Sequence, residues 1–438
     1  MRSVRTAALG ILILSVGAVA QTQQPPAAAP APTLSVEEAV RLALLQASTY
    51  QQATLNERIA AEDVRQARAA FLPRLGATLS FIHTSPARGV SPRVASYIAA
   101  NAVDEYLGLV GVTGDLDFSG RLRATLERNV ALLEAARFGT QVARRALIQA
   151  TSDAYYALAL ATARRRAAEQ NLAAAEEFER VTALSADAGE VAPVDRARAQ
   201  LQTMARRDEL EQARAAETAA ASALRILVGY DFTQPIGTAD LVGSVPQPGE
   251  VDRLTADMVS RRPEFAQLQA ERRAAELGVK VARAERRPGV TYALDGGVDT
   301  DSLRPTPLRE HTGFSASLGV TVPIFDWGAS RSRELQARDR AAVAESVRIA
   351  ALRAFEQQFY DSRAQALSAA TRIRLASDGL ATAERNLEVS IARYRAGEAP
   401  ILEVTDAQAT LIAQRAAYYQ ALFDYQSARA RLAQATGQ

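Results

Sequence analysis

The chain contains no cysteine. That excludes disulfides, iron–sulfur clusters and thiolate metal sites, and it leaves no thiol to carry a lipid after export. Histidine is nearly absent too: only His83 and His311 occur, both at expected strand ends or loops. Beyond the first twenty residues the only methionines are Met204 and Met258, too few for a thioether metal relay. No glycine-rich phosphate loop joins a strand to a helix at the required spacing. These gaps leave no catalytic constellation, so no catalytic residue, no metal ligand and no cofactor is expected.

Long hydrophobic runs are also missing. Past residue 20 no stretch of ~18 apolar residues exists, so no transmembrane helix is expected. Charge of one sign is lacking as well. The formal charge is +2 at pH 7, and setting aside Arg2 and Arg5 brings it to 0, a balance that gives no pointer to nucleic acid. Those two arginines precede an apolar stretch, Ala7 to Val16, and the small-x-small triplet Ala18-Val19-Ala20. Residues 1–20 read as a signal peptide cut before Gln21, and 21–33 as a Pro/Ala-rich tether. An exported chain without a membrane helix is periplasmic, secreted, or inserted in an outer membrane as a barrel.

What the chain does have is a duplication. Gly120 aligned on Gly328 sets an offset of 208 residues (328 less 120), which holds without a gap to Gly229 and Gly437. Arg145, Gln149 and Asp153 then match Arg353, Gln357 and Asp361, and Ala188-Gly189-Glu190 matches Ala396-Gly397-Glu398. Residues 34–229 form the first repeat, 230–253 a linker and 254–438 the second repeat. Each repeat reads as a short helix (Val36 to Leu45, Leu254 to Val259), a polar helix ending near Pro73 or Pro288, two strands, and two long helices. The long helices are expected over 121–186 and 191–228, then 329–395 and 400–436. The first of each pair would be ~100 Å long at ~1.5 Å per residue, which suggests coiled-coil or tubular packing. Val404, Leu411, Tyr418, Tyr425 and Leu432 recur every seven residues, as in a coiled-coil seam.

Four segments alternate at period two: 75–83, 106–118, 290–299 and 313–325. In the first, Leu75, Ala77, Leu79 and Phe81 oppose Gly76, Thr78 and Ser80; in the third, Val290, Tyr292, Leu294 and Val298 oppose Thr291, Asp295 and Asp299. Apolar residues on one face and small or acidic ones on the other suit a barrel with a wet lumen, although a half-buried sheet in a soluble domain alternates in the same way. Four strands cannot close a barrel, so their edges require several copies.

Leu116-Asp117-Phe118-Ser119-Gly120-Arg121, Val322-Pro323-Ile324-Phe325-Asp326-Trp327-Gly328 and Arg393-Tyr394-Arg395-Ala396-Gly397-Glu398 resemble motifs of the TolC family of outer-membrane efflux proteins. The resemblance extends from about Leu34 to Gly437. It implies a mainly α fold with a membrane β-barrel: a long α-helical barrel, and four strands per protomer in a barrel shared by a homotrimer in outer-membrane lipid. It also implies an inner-membrane pump as partner, reached through a periplasmic adaptor that docks on the tip turns at Gly189, Glu190, Gly397 and Glu398. The turns differ from the family's usual Val-Gly-Leu. By the same resemblance Asp195 occupies the position of a gate carboxylate and Tyr394 that of its hydroxyl partner. Ala399 stands where the family's best-studied form has an arginine, so Arg393 or Arg395 would have to substitute. Glu403 and Asp406 lie one helical turn apart; they read either as carboxylate rings at a pore constriction or as a solvated helix start. The competing functions are a periplasmic coiled-coil adaptor or scaffold, and a secreted enzyme with a helical domain. The first lacks its usual anchor here, and the second lacks any nucleophile in a plausible setting.

Overall fold

The computed structural model describes residues 33–85, 104–189, 191–241 and 249–437. Residues 1–20, the tether up to residue 32, and Glu190 lie outside the described residues. The elements are β1 (Thr33–Leu34), α1 (Val36–Ala43), α2 (Thr49–Ala69), β2 (Arg74–His83), β3 (Asp104–Leu116), α3 (Arg121–Asp187) and α4 (Pro193–Val228). After the linker come β4 (Gly237–Thr238), α5 (Pro263–Ala284), β5 (Gly289–Thr300), α6 (Pro305–Glu310), β6 (Thr312–Thr321), α7 (Ala329–Arg395) and α8 (Ile401–Ala435).

The duplication is written into the element bounds. α3 and α7 are both 67 residues long, and each end of α7 lies 208 residues after that of α3. The starts of α4 and α8, Pro193 and Ile401, keep the same offset. Neither Gly139 nor Gly379 breaks its helix.

The first long helix of each repeat, α3 and α7, starts where a carboxylate receives its free amides. Asp117 accepts from Leu122 N at 3.0 Å and Arg123 N at 2.9 Å. Asp326 accepts from Gly328 N at 3.2 Å and Ser330 N at 2.7 Å. One aspartate stands three residues before its glycine and the other two, so the repeats reach the same cap from different positions. Gly120 and Gly328 turn the chain at φ 77 and 83. The helices end on Gly189 and Gly397, also left-handed. At the second, Gly397 N bonds Tyr394 O and Glu398 N bonds Arg393 O, the paired closure of a Schellman end.

The strands form one antiparallel sheet in the order β2-β3-β5-β6. The two hairpins therefore meet within one protomer, through β3 and β5. Register aligns their apolar faces: Leu75 pairs with Val112, Val112 with Leu294 and Leu294 with Ala316. On the other face Asp295 lies against Gly111, where a Cβ would fall 1.8 Å from its Oδ1. Leu79, Phe314 and Leu318 are 67 to 88% exposed, on a surface that water would not leave bare. No helix among the described residues is long and apolar enough to cross a membrane.

Several boundaries differ from expectation. β6 stops at Thr321 rather than 325, because Pro323 has no amide to continue a ladder. β3 lies two residues earlier than 106–118, because Asp117 turns away to cap α3. α4 starts at Pro193, not 191, since proline suits the first helical position. The short helix expected over 254–259 is instead two 3-10 turns, Val251–Arg253 and Ala256–Arg261. The linker is not free of structure either. Its β4 pairs in parallel with β1 at the end of the tether, and the Tyr155 hydroxyl ties the two, donating to Leu34 O at 2.9 Å and accepting from Ala239 N at 3.0 Å.

Apolar packing is strung along the tube rather than gathered in one core. Leu158, Leu224 and Val228 pack under β1 and α1; Leu241, Ile373, Leu422 and Tyr425 join the two repeats; Val259, Phe359 and Leu432 close the second.

Candidate functional site: the helical tip and the open edges of the protomer

The tip brings together most of the residues singled out from sequence. Tyr394, near the end of α7, packs its ring on Phe178 of α3 at 5.7 Å between centroids. Its hydroxyl is buried beside that of Thr182, but no hydrogen bond of good geometry joins them. Burial raises the Tyr394 pKa; the Thr182 hydroxyl opposes the rise and the charge of Asp195 adds to it. Asp195 thus lies within electrostatic reach of Tyr394, and it also meets Arg198 at 3.4 Å one turn on.

Glu403 occupies the equivalent of Asp195 in the second repeat (195 plus 208). It is held by Arg393, whose Nη1 lies 2.5 Å from Oε1. The equivalent of Arg198 is Asp406, exposed and without an ion-pair partner among the described residues. The two acids therefore differ: one is already paired and the other is open. Arg395 lies within electrostatic reach of Glu177. Gly189, Gly397 and Glu398 lie at the turns as expected; Glu190 lies outside the described residues. Each of the two histidines has its own partner. His83 Nδ1 sits 2.6 Å from Asp104, and His311 Nδ1 2.9 Å from Pro307 O.

The protomer also presents unmet surfaces. β2 and β6 are the outer strands of the sheet, each with one unpaired edge. α7 carries Leu335, Val343, Leu367, Leu375 and Val389, each 40 to 62% exposed. Where strands give way to helices, Phe118, Ile324, Phe325 and Trp327 are 73 to 92% exposed, with the Phe325 and Trp327 rings 4.9 Å apart. Aromatic residues at that level form the girdle of barrel proteins.

Known proteins share this arrangement. The family described as outer membrane efflux protein matches residues 39–230 and 254–438, one span per repeat. The chain belongs to the outer membrane efflux protein family. Pyoverdine export outer membrane protein OpmQ of Pseudomonas aeruginosa is 25% identical over 389 residues, 85% of this chain and 81% of that protein. Among solved structures, the Campylobacter jejuni CmeC outer membrane channel superimposes with a TM-score of 0.83 at 17% identity, covering 92% of this chain and 85% of that one. CusC does so with 0.80 at 20% identity, covering 92% of each chain. Within this outer-membrane family of channels, the chain is an efflux channel protomer with an α-barrel and a β-barrel, not a periplasmic adaptor. The family is not one of enzymes.

Sequence reasoning missed one cluster. Glu334 on α7, with 9% of its side chain exposed, meets Arg283 at 2.8 Å, Arg286 at 3.1 Å and Arg338 at 2.6 Å. Arg283 foremost, with the other two, holds its carboxyl at about 2. Only Arg338, four residues on, was visible from spacing; Arg283 of α5 and Arg286, two residues past its end, arrive through helix packing.

Proposed function

We propose that three copies of this chain close a twelve-stranded barrel and a continuous helical tunnel, through which small molecules or secreted substrates leave the cell. The single observation that carries this is the pair of unsatisfied edges, β2 and β6, on a sheet with one face exposing Leu75, Leu79, Val110, Leu294, Phe314 and Leu318. Joining β2 of one protomer to β6 of the next removes every edge, the condition for a strand-built pore in lipid. The exposed stripe of α7 is covered by the same closure.

At the periplasmic end the turns at Gly189, Glu190, Gly397 and Glu398 give six near-equivalent contacts for a periplasmic adaptor, which links the duct to an inner-membrane pump. Asp195 and Tyr394 serve the gate, Arg393 taking the role that Ala399 cannot by holding Glu403. Asp406, open and facing away from the packed side of α8, forms a ring of three carboxylates that favours cations. The chain reaches the outer membrane by export and loss of residues 1–20, and carries no lipid. The pyoverdine exporter among its relatives supports small organic cargo.

Reconstitution tests the reading. Detergent-extracted protein should run as a heat-labile trimer and conduct in planar bilayers, with cation preference reduced in Asp406→Asn. A monomer of native mass, or no conductance, overturns it.

A further inference from the structure

The two repeats meet each other inside one protomer, and the same meeting has to recur between protomers if the tube closes. The internal contact is visible in detail. Arg145 on α3 is 12% exposed and donates from Nη2 to the carbonyl of Gln434, at the end of α8, at 2.6 Å. Arg164 on α3 donates to Gln420 of α8 at 2.7 Å. Both bonds tie the first repeat's long helix to the second repeat's last helix.

The offset of 208 carries each partner to a counterpart. Arg145 becomes Arg353 on α7, and Gln434 becomes Ile226 near the end of α4. Within the protomer these counterparts are unmatched. Arg353 is exposed and has no ion-pair or hydrogen-bond partner among the described residues. Ile226 is 65% exposed. The amides of Gly229 and Tyr230 both close on Arg225 O, so no backbone amide beyond the helix end takes the Ile226 carbonyl. A helix end that leaves a carbonyl open next to an exposed face suits an incoming cation.

We propose that Arg353 is the inter-protomer counterpart of Arg145: it reaches the neighbouring protomer and donates to the carbonyl of Ile226 at the end of α4. This rests on the trimer reading above. Arg164 and Gln420 likewise map to Arg372 and Gln212, but both are already engaged within the protomer, Arg372 with Asp424 at 2.8 Å and Gln212 with Asp208 at 2.7 Å. Two internal contacts do not carry over, because Ala219 and Gly379 stand where Ser427 and Asn171 make theirs. The seam between protomers is therefore more sparsely bonded than the seam within one, and Arg353 is its main polar anchor. The acid that assists Arg145, Glu264, comes from α5, whose counterpart α2 shows no acid in its first turn. Arg353 thus works on a carbonyl alone.

A chain without cysteine makes the test clean. Arg353→Cys with Ile226→Cys, treated with a short bismaleimide, should give crosslinked dimers and trimers on a denaturing gel. Arg145→Cys with Gln434→Cys should crosslink within one chain and leave the mass unchanged. Arg353→Lys should keep the heat-labile trimer and Arg353→Ala should lower its dissociation temperature. A trimer of native mass in which the internal pair reacts and the 353/226 pair does not overturns this inference alone. A native mass of one protomer overturns the trimer reading, and this inference with it.

Discussion

Glu334 shows how one side chain can be set by its surroundings. Three arginines, Arg283 of α5, Arg286 just past its end and Arg338 of α7, hold it ionised, with its carboxyl at about 2 against an ordinary 4.5. A depressed carboxyl contributes stability that is full above the unfolded value and is lost as pH falls toward the folded one. Melting followed from pH 6 down to pH 3 should therefore show wild type losing stability below about 4.5, and Glu334→Gln, already weaker at pH 6, losing less over the same range. The helix caps are a second case at this scale. Asp117→Ala or Asp326→Ala removes the acceptor of two backbone amides at the head of a long helix, and each should lower the midpoint of thermal or denaturant unfolding. Gly111 is fixed by a neighbour instead, since any Cβ there displaces the Asp295 carboxylate.

Elements add constraints that no residue has alone. The sheet holds only if both hairpins meet, and Gly297 sits where β3 passes closest: a Cβ at that position would fall 2.0 Å from Gly108 O. Gly297→Val should therefore break the β3–β5 ladder while leaving the long helices helical. Outer-membrane fractionation should show loss of insertion, with far-ultraviolet circular dichroism of the extracted protein nearly unchanged. At the tip, Gly397 holds a left-handed helix end; Gly397→Ala should cost roughly 1 kcal/mol and loosen the turn, read as faster local proteolysis. Arg393→Ala frees Glu403 from its 2.5 Å partner and should increase the cation preference of the conducting duct, measured by reversal potential.

At the scale of the whole molecule the protomer is unfinished. Apolar clusters lie at intervals along ~100 Å helices, and the remaining apolar stripe and strand edges face outward. Stability of the assembled duct should thus depend on association: the unfolding temperature in detergent should rise with protein concentration, which a self-sufficient monomer would not show.

The sequence by itself determined the duplication, the strand alternation and the length of the helices, because these rest on periods of two, seven and 208 that survive without any contact being known. It also marked the tip residues, Asp195, Tyr394, Glu403 and Asp406, through motif and spacing. Only the tertiary structure decided that the hairpins join through β3 and β5, that Tyr155 ties the tether to the linker, and that Glu403 is paired while Asp406 is open. Those facts depend on side chains brought together from positions tens to hundreds of residues apart, and no local pattern encodes which distant arginine will reach which acid.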